Sequence, residues 1–398
     1  MTGHSEKLIA CVAKENYDNF LHAWFKTETH RKEKQTVIFG AGILGMQFYY
    51  TLICLGVKKI LFCDNDQTKW GQKIEECLIL SPWEIAGKSE KYFIFLAMEH
   101  YQSCVAQIEQ MGYQPNSQYY NLKNCSEQRL LEDFGRDLDA RTLILGDCTT
   151  STICLEDETR ESIGESLYQK GKTKVLAANG LYLRAFYHLF WMSMKQMKQL
   201  KRLVILLNLD IFGENYHLFP SNQHPEMMLH LLEQFGSNHP ETSSFAEDVR
   251  HRAQNENIFQ TLSPNRKSNL SEQKIAQGRR VHLQLNYMYR LNQNTESICY
   301  LDRMLADCAR MGIKNIYILL PVNYEMGERY FGKKFYEKYN AIKDAVAQHI
   351  IDANGQLADF SYLLPDNDFI RLRSANEGLR ENGRTKLVTQ IQKLFLTE

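Results

Sequence analysis

One stretch constrains this chain more than any other. Residues Thr36-Val-Ile-Phe-Gly40-Ala-Gly42-Ile-Leu-Gly45 run apolar, pass three glycines, and give way to helical spacing over Met46 to Leu55. Val37–Phe39 predicts a buried strand, and Met46–Leu55 predicts the helix that leaves it. Gly40 allows the tight turn, Gly42 lets a phosphate come up to the backbone, and Gly45 lets helix and strand pack closely. The helix start would offer unpaired N–H groups to an anion. A second strand from Lys59 ends in Asp64, 19 residues beyond Gly45, where such units place the acid that accepts ribose hydroxyls. Lys91–Leu96 supplies a third strand, and Ser103 to Met111 a helix.

Strand, glycine turn, helix, strand and acid together predict a Rossmann-like nucleotide-binding domain over 35–135, preceded by a helical segment at 1–34. The run from Val37 to Pro82, with Phe62-Cys-Asp-Asn-Asp66, Lys69-Trp-Gly71 and Leu80-Ser-Pro-Trp-Glu84, resembles the small nucleotide-binding modules attached to sugar-modifying and capsule-biosynthesis enzymes. That resemblance implies a setting in surface-polysaccharide assembly but no reaction, and leaves open whether Gly40–Gly45 holds NAD, a nucleotide sugar or nothing.

Composition narrows the setting. At 398 residues the chain is long enough for two or three domains, and 47 basic residues balance 47 acidic ones. No global field draws it to nucleic acid or an anionic membrane. The apolar run Leu203–Leu207 falls far short of the ~20 residues that span a bilayer, and Met1–Lys7 lacks the build of a signal peptide. The ten cysteines show no C-x-x-C spacing, so reduced thiols, no metal and a cytoplasmic location are expected.

From Arg141 the pattern restarts. A strand runs into Gly146-Asp147-Cys148 and a hydroxyl-rich helix start, and Thr173–Ala178 is a strand ending in Asn179-Gly180. A helix over Leu181–Leu200 follows, then a strand from Leu203 ending in Asn208, a helix over Thr295–Met311, and a strand from Asn315 to Pro321. Strands alternating with helices predict a parallel sheet covered on both faces, with ligands beyond the strands' carboxyl ends. Cys148, Gly180 and Asn208 all fall there.

These blocks resemble the SGNH/GDSL hydrolase and acyltransferase superfamily over 140–398, in the family's order. Gly146-Asp147-Cys148 matches the nucleophile block, Gly180 the oxyanion-hole glycine, and Asn208 the block-three asparagine, which implies an oxyanion held by the Cys148 and Gly180 amides with the Asn208 side chain. Ala375-Asn-Glu-Gly378-Leu-Arg380-Glu-Asn-Gly383-Arg384 matches the last block. The family's serine is Cys148 here, its aspartate Ala375, and its histidine Gly378. An alcohol without that histidine would be nearly inert, whereas a thiol needs a base less. The reference thiol pKa of ~8.5 falls near a helix N-terminus or a cation. His217, after the third strand, is the candidate base, and Arg380 or Arg384 a candidate stabilising charge.

A polar, histidine-containing insertion spans about 213–280 and is expected as a cap over the active face, with helices at Met227–Phe235 and Phe245–Ile258. The resulting expectation is an α/β protein, a Rossmann-like domain followed by an SGNH-like three-layer α/β/α domain. It would be an acyltransferase or esterase in polysaccharide or glycoconjugate biosynthesis, acting on a small-molecule or glycan substrate. Cys148 would be its nucleophile and acyl-CoA the natural donor. Two alternatives stay open: a non-catalytic scaffold built from two degenerate domains, and an NAD-dependent sugar-modifying enzyme. The oligomeric state is open too, a homo-oligomer included.

Overall fold

The computed structural model describes residues 17–18, 34–98, 102–115, 117–121, 125–154, 157–178, 180–213, 225–236, 238–250, 272–370 and 378–396. The protein is mixed α/β and divides into two compact units. One is Met1–Gln128 with Cys154–Glu158; the other is Arg129–Ile153 with Thr159–Glu398. The division falls inside the helix Cys125–Phe134, somewhat before the 135–140 junction expected from the sequence. Of the expected leading helices at 1–34, only Tyr17–Asp18 and Lys34 are described, and Tyr17–Asp18 is extended rather than helical.

In the first unit, β1 (Gln35–Phe39), α1 (Ile43–Cys54), β2 (Ile60–Cys63), β3 (Lys73–Ile74) and β4 (Cys77–Leu80) come first. They are followed by α2 (Pro82–Ile85), β5 (Tyr92–Leu96), α3 (Gln102–Gln110), β6 (Tyr119–Asn121) and α4 (Cys125–Phe134). The sheet order is β3-β4-β2-β1-β5-β6, parallel except for the β3–β4 pair. Strand alternation separates two cores. Val37, Phe39, Ile94 and Leu96 pack with Cys104 and Ile108 of α3. Phe62 and Phe95 meet the rings of Tyr49 and Phe48 on α1, at 5.8 and 5.0 Å between centroids.

Two glycines of the turn are required by contact. Gly40 lies at φ +115°, and a Cβ there would stand 2.8 Å from the Ala97 carbonyl oxygen. A Cβ on Gly45 would meet the Gly40 carbonyl oxygen at 1.9 Å, so α1 folds back on β1 only with a bare backbone there. Around Gly42 nothing lies within 4 Å of a would-be Cβ.

The second unit contains β7 (Thr142–Gly146), α5 (Cys148–Ser151), α6 (Ile163–Leu167), β8 (Thr173–Ala177), α7 (Leu183–Gln196) and β9 (Arg202–Leu207). Then come α8 (Pro225–Phe235), a helix over 242–250, α9 (Glu272–Tyr287), α10 (Glu296–Met311) and β10 (Lys314–Leu319). The unit closes with α11 (Tyr324–Phe331), α12 (Lys333–Asp352), β11 (Gln356–Asp359) and α13 (Glu381–Leu396). The five-stranded sheet is wholly parallel, in the order β8-β7-β9-β10-β11. Leu143, Leu145, Leu203, Ile205 and Leu207 face one core with α7, α10 and α12. Ile144, Val204, Leu206 and Ile318 face another, with α6 and α13.

The described part of the insertion joins the core. Met227, Met228, Leu231, Leu232 and Phe245 are buried in the same core as α7 and α10. Enough apolar surface repeats at helical spacing in α8 to weld it to the sheet's covering layer. Among the described residues no helix is long and apolar enough to cross a membrane.

The glycine contacts give a paired test. Gly45→Ala forces a methyl group against backbone and should lower stability by about 2–3 kcal/mol, whereas Gly42→Ala should change it by under about 1 kcal/mol. Urea denaturation followed by the unit's tyrosine and tryptophan signals checks this; equal losses in both variants would contradict the stated packing.

Candidate functional site

Both sheets reverse their strand order once, and ligands of open parallel sheets bind beyond the carboxyl ends at that reversal. In the second unit the chain leaves β7 for β8 on one side and reaches β9 on the other, so the reversal lies between β7 and β9. Asp147 and Cys148 follow β7, and Asn208 follows β9. The register Gly146↔Ala177 places the segment ending in Gly180 alongside, and Gly180 itself takes φ +74°.

The turn after β7 is built from close contacts. A Cβ on Gly146 would lie 1.9 Å from Thr150 Oγ1, so α5 can fold back onto the strand end only against glycine. Asp147, 1% exposed, caps α5: its Oδ1 accepts the Thr149 N–H at 2.9 Å. Its Oδ2 accepts from Asn208 Nδ2 at 3.1 Å, and the same amide donates to Thr149 Oγ1 at 3.0 Å. A carboxylate only accepts, which fixes the orientation of the Asn208 amide. Tyr287 of α9 donates its hydroxyl to Asn208 Oδ1 at 3.4 Å. Cys148, the first residue of α5, is half-buried.

This geometry changes the part expected of Asn208. Both of its amide hydrogens point at Asp147 and Thr149, so in this structure it braces the turn rather than presenting a donor to an oxyanion. Arg384 is likewise committed. Its guanidinium, 3% exposed, donates to the carbonyls of Glu161, Leu379 and Thr159 at 2.9, 2.7 and 2.7 Å. It ties the loop before α6 to α13, and the expectation that it stabilises a thiolate gives way to that structural role. Gly378 sits at φ +101°; a Cβ there would be 3.0 Å from Ile370 Cδ1 and 3.4 Å from Thr152 Cγ2. Gly378 is therefore beside Thr152, just past α5. His217, Asn179 and Ala375 lie outside the described residues.

A cleft of about 270 Å³ runs by the free edge of β8, lined by Thr150, Ser151, Lys174, Arg129 and Tyr168 among others. Lys174 is buried within it and donates to the carbonyls of Phe134 and Arg136 at 2.5 and 2.9 Å; burial pulls its ammonium down to about 8. Neither Lys174 nor Tyr287 stood out in the sequence. Lys174 left a signal, a lysine inside an otherwise apolar strand. Tyr287 left none, being 79 residues from Asn208.

In the first unit the reversal lies between β1 and β5, at the glycine turn. The open space at Gly42 fits the approach of a nucleotide phosphate. Asp64 is partly occupied by the protein itself. Its Oδ2 accepts from the Ala41 N–H at 2.8 Å and pairs with Lys69 Nζ at 2.9 Å, and its Oδ1 accepts the Asp66 N–H at 2.9 Å. A ribose hydroxyl would share that carboxylate with backbone and lysine. Among the described residues no group of three or more His, Cys, Asp and Glu side chains could hold a metal.

No family model matches the chain, and no curated protein does.

Asn208→Asp is nearly isosteric yet sets a carboxylate against buried Asp147. It should cost about 3 kcal/mol at pH 7, with the deficit shrinking by pH 5 as the pair takes up a shared proton. Urea titrations at the two pH values measure this; a deficit that does not depend on pH would mean Asn208 is not the donor to Asp147.

Proposed function

We propose that the second unit is an SGNH-like acyltransferase or esterase acting through Cys148, in the assembly of a polysaccharide or glycoconjugate. The observation that carries this reading is the placement of Cys148 at the sheet's order reversal, with the braced turn of Asp147, Thr149 and Asn208 holding it. The parallel order β8-β7-β9-β10-β11 and the position of Gly378 beside Thr152 support the same reading.

In the proposed reaction the Cys148 sulfur attacks the carbonyl carbon of an acyl thioester such as acyl-CoA. The C–S bond to the enzyme forms, the bond to the donor's sulfur breaks, and the donor leaves as a thiol with the proton from Cys148. One thioester replaces another, so the step needs little driving force. A sugar hydroxyl (or water, in an esterase) then attacks the acyl-enzyme, and its proton returns to the Cys148 sulfur as the ester or acid departs. The Cys148 and Gly180 amides would hold the oxyanion, each such donor worth about 3–4 kcal/mol. Asn208 acts here by positioning. His217 remains the candidate base of this proposal. The first unit would hold a nucleotide, as NAD or a nucleotide sugar, with its phosphates at Gly42.

Specific observations also favour a non-catalytic scaffold: the glycine at 378, and the commitment of Arg384 and Asn208 to internal hydrogen bonds. Intact-mass measurement after incubation with a panel of acyl-CoAs separates the two. The acyltransferase reading expects an acyl adduct on Cys148, abolished in Cys148→Ala with an unchanged melting curve. An unmodified protein across the whole panel assigns the scaffold.

A further inference from the structure

Away from Cys148, α7, α10 and residues 238–250 meet around two buried histidines. His188 of α7 is 0% exposed and His239 is 5% exposed. The Glu241 backbone N–H donates to His239 Nδ1 at 3.1 Å. His239 Nε2 lies 3.1 Å from His188 Nδ1, and His188 Nε2 lies 3.1 Å from Glu241 Oε2. The two ends determine the middle. A backbone N–H can only donate, so His239 Nδ1 is bare and the proton of that ring sits on Nε2. His188 Nδ1 must then accept, leaving its own proton on Nε2, aimed at a carboxylate that can only accept.

A chain with a donor at one end and an acceptor at the other has room for one proton per ring. A further proton sets donor against donor, either at the Glu241 N–H or between the rings.

The charged surroundings act the same way. From α7, Arg184 and Lys195 face the pair, with Arg184 Nε 3.6 Å from Glu241 Oε2 and its Nη1 2.8 Å from Asp248 Oδ2. From α10, Arg303 donates to Glu241 Oε1 at 2.7 Å, the Tyr300 hydroxyl donates to Glu241 Oε2, and Glu296 lies 3.9 Å from Arg184 Nε. Tyr187 stacks edge-on against His188 and hydrogen-bonds Asp307 at 3.4 Å. Burial and these cations hold His188 below its usual value and His239 down to about 4. Glu241 is held well below the usual carboxylate range by His188, Tyr300 and Arg303, against the opposing effect of its own burial, and stays ionised throughout.

We propose that His188 and His239 form an acid-released latch that fastens residues 238–250 to α7 and α10. The sign follows from the depressed folded values. Stabilisation is complete above the unfolded histidine value of about 6.5 and is lost as pH falls toward about 4. The Arg184 contacts to Ser244 and Asp248 sit in the same segment and loosen with it. α7 opens three residues after Gly180, so the latch holds the helix that leaves the proposed site.

Two measurements on the full-length protein test the latch. In ¹⁵N-labelled protein, the ring signals of His188 and His239 should report the Nε2–H tautomer at pH 7, with His239 titrating near 4. Hydrogen exchange, corrected for intrinsic rates, should lose about tenfold protection in 238–250 between pH 6.5 and 4.5 while β7, β9 and β10 keep theirs. His239→Gln, which retains an Nε donor but no titration, should show the same exchange at both pH values. A His239 midpoint near 6.5, wild-type protection that does not respond to acid, or an undiminished acid response in His239→Gln would each overturn the proposal. The ring signals are read on the wild-type protein and decide the matter even if that variant misfolds.

Discussion

The candidate site depends on one buried carboxylate. Asp147 is almost wholly excluded from water, and a buried charge persists only when hydrogen bonds replace its hydration. Those bonds come from the Thr149 backbone and from Asn208, on the neighbouring strand's end. The requirement joins β7 to β9 at the one place where the sheet reverses its order. The position of Cys148 is a by-product of satisfying Asp147: the residue between an obligate cap and its donor has little freedom of its own. Tyr287 extends the constraint to α9, so a helix distant in sequence helps hold the same turn.

Much of the scaffold was legible in the residues because burial leaves a pattern. Val37–Phe39, Thr142–Gly146 and Arg202–Leu207 are continuous apolar runs, the mark of strands covered on both faces, and they lie where that mark predicts. Shorter or more polar pieces escaped. β3 is two residues long, β6 is three, and β11 reads Gln-Leu-Ala-Asp, too little apolar length to declare itself. Helix starts were nearly right where capping chemistry was explicit, as at Thr295, whose hydroxyl accepts the Ile298 N–H. The insertion's share in the core was hidden for a definite reason. Its composition is polar on average, while Met227, Met228, Leu231, Leu232 and Phe245 of its described part are buried in the core.

The site was legible as a set of positions and not as a set of roles. Residue type and order brought Cys148, Gly180 and Asn208 to one end of one sheet, which strand topology alone accounts for. What each polar group does depends on partners drawn from far along the chain, and no local spacing encodes them. Arg384 donates across more than 200 positions to the loop before α6, and Asn208 across 61 positions to Asp147. Long-range hydrogen bonding reassigned both from reacting groups to braces.

Gly378 carries an evolutionary corollary. Its backbone has settled into a left-handed conformation, with Ile370 and Thr152 closed in around the vacant side-chain position. Placing an imidazole there by a single codon change would meet a strained main chain and a filled neighbourhood before any question of proton transfer arose. The packing thus works as a ratchet: a histidine at 378 would be a misfit, and a base serving this turn would have to be recruited from elsewhere.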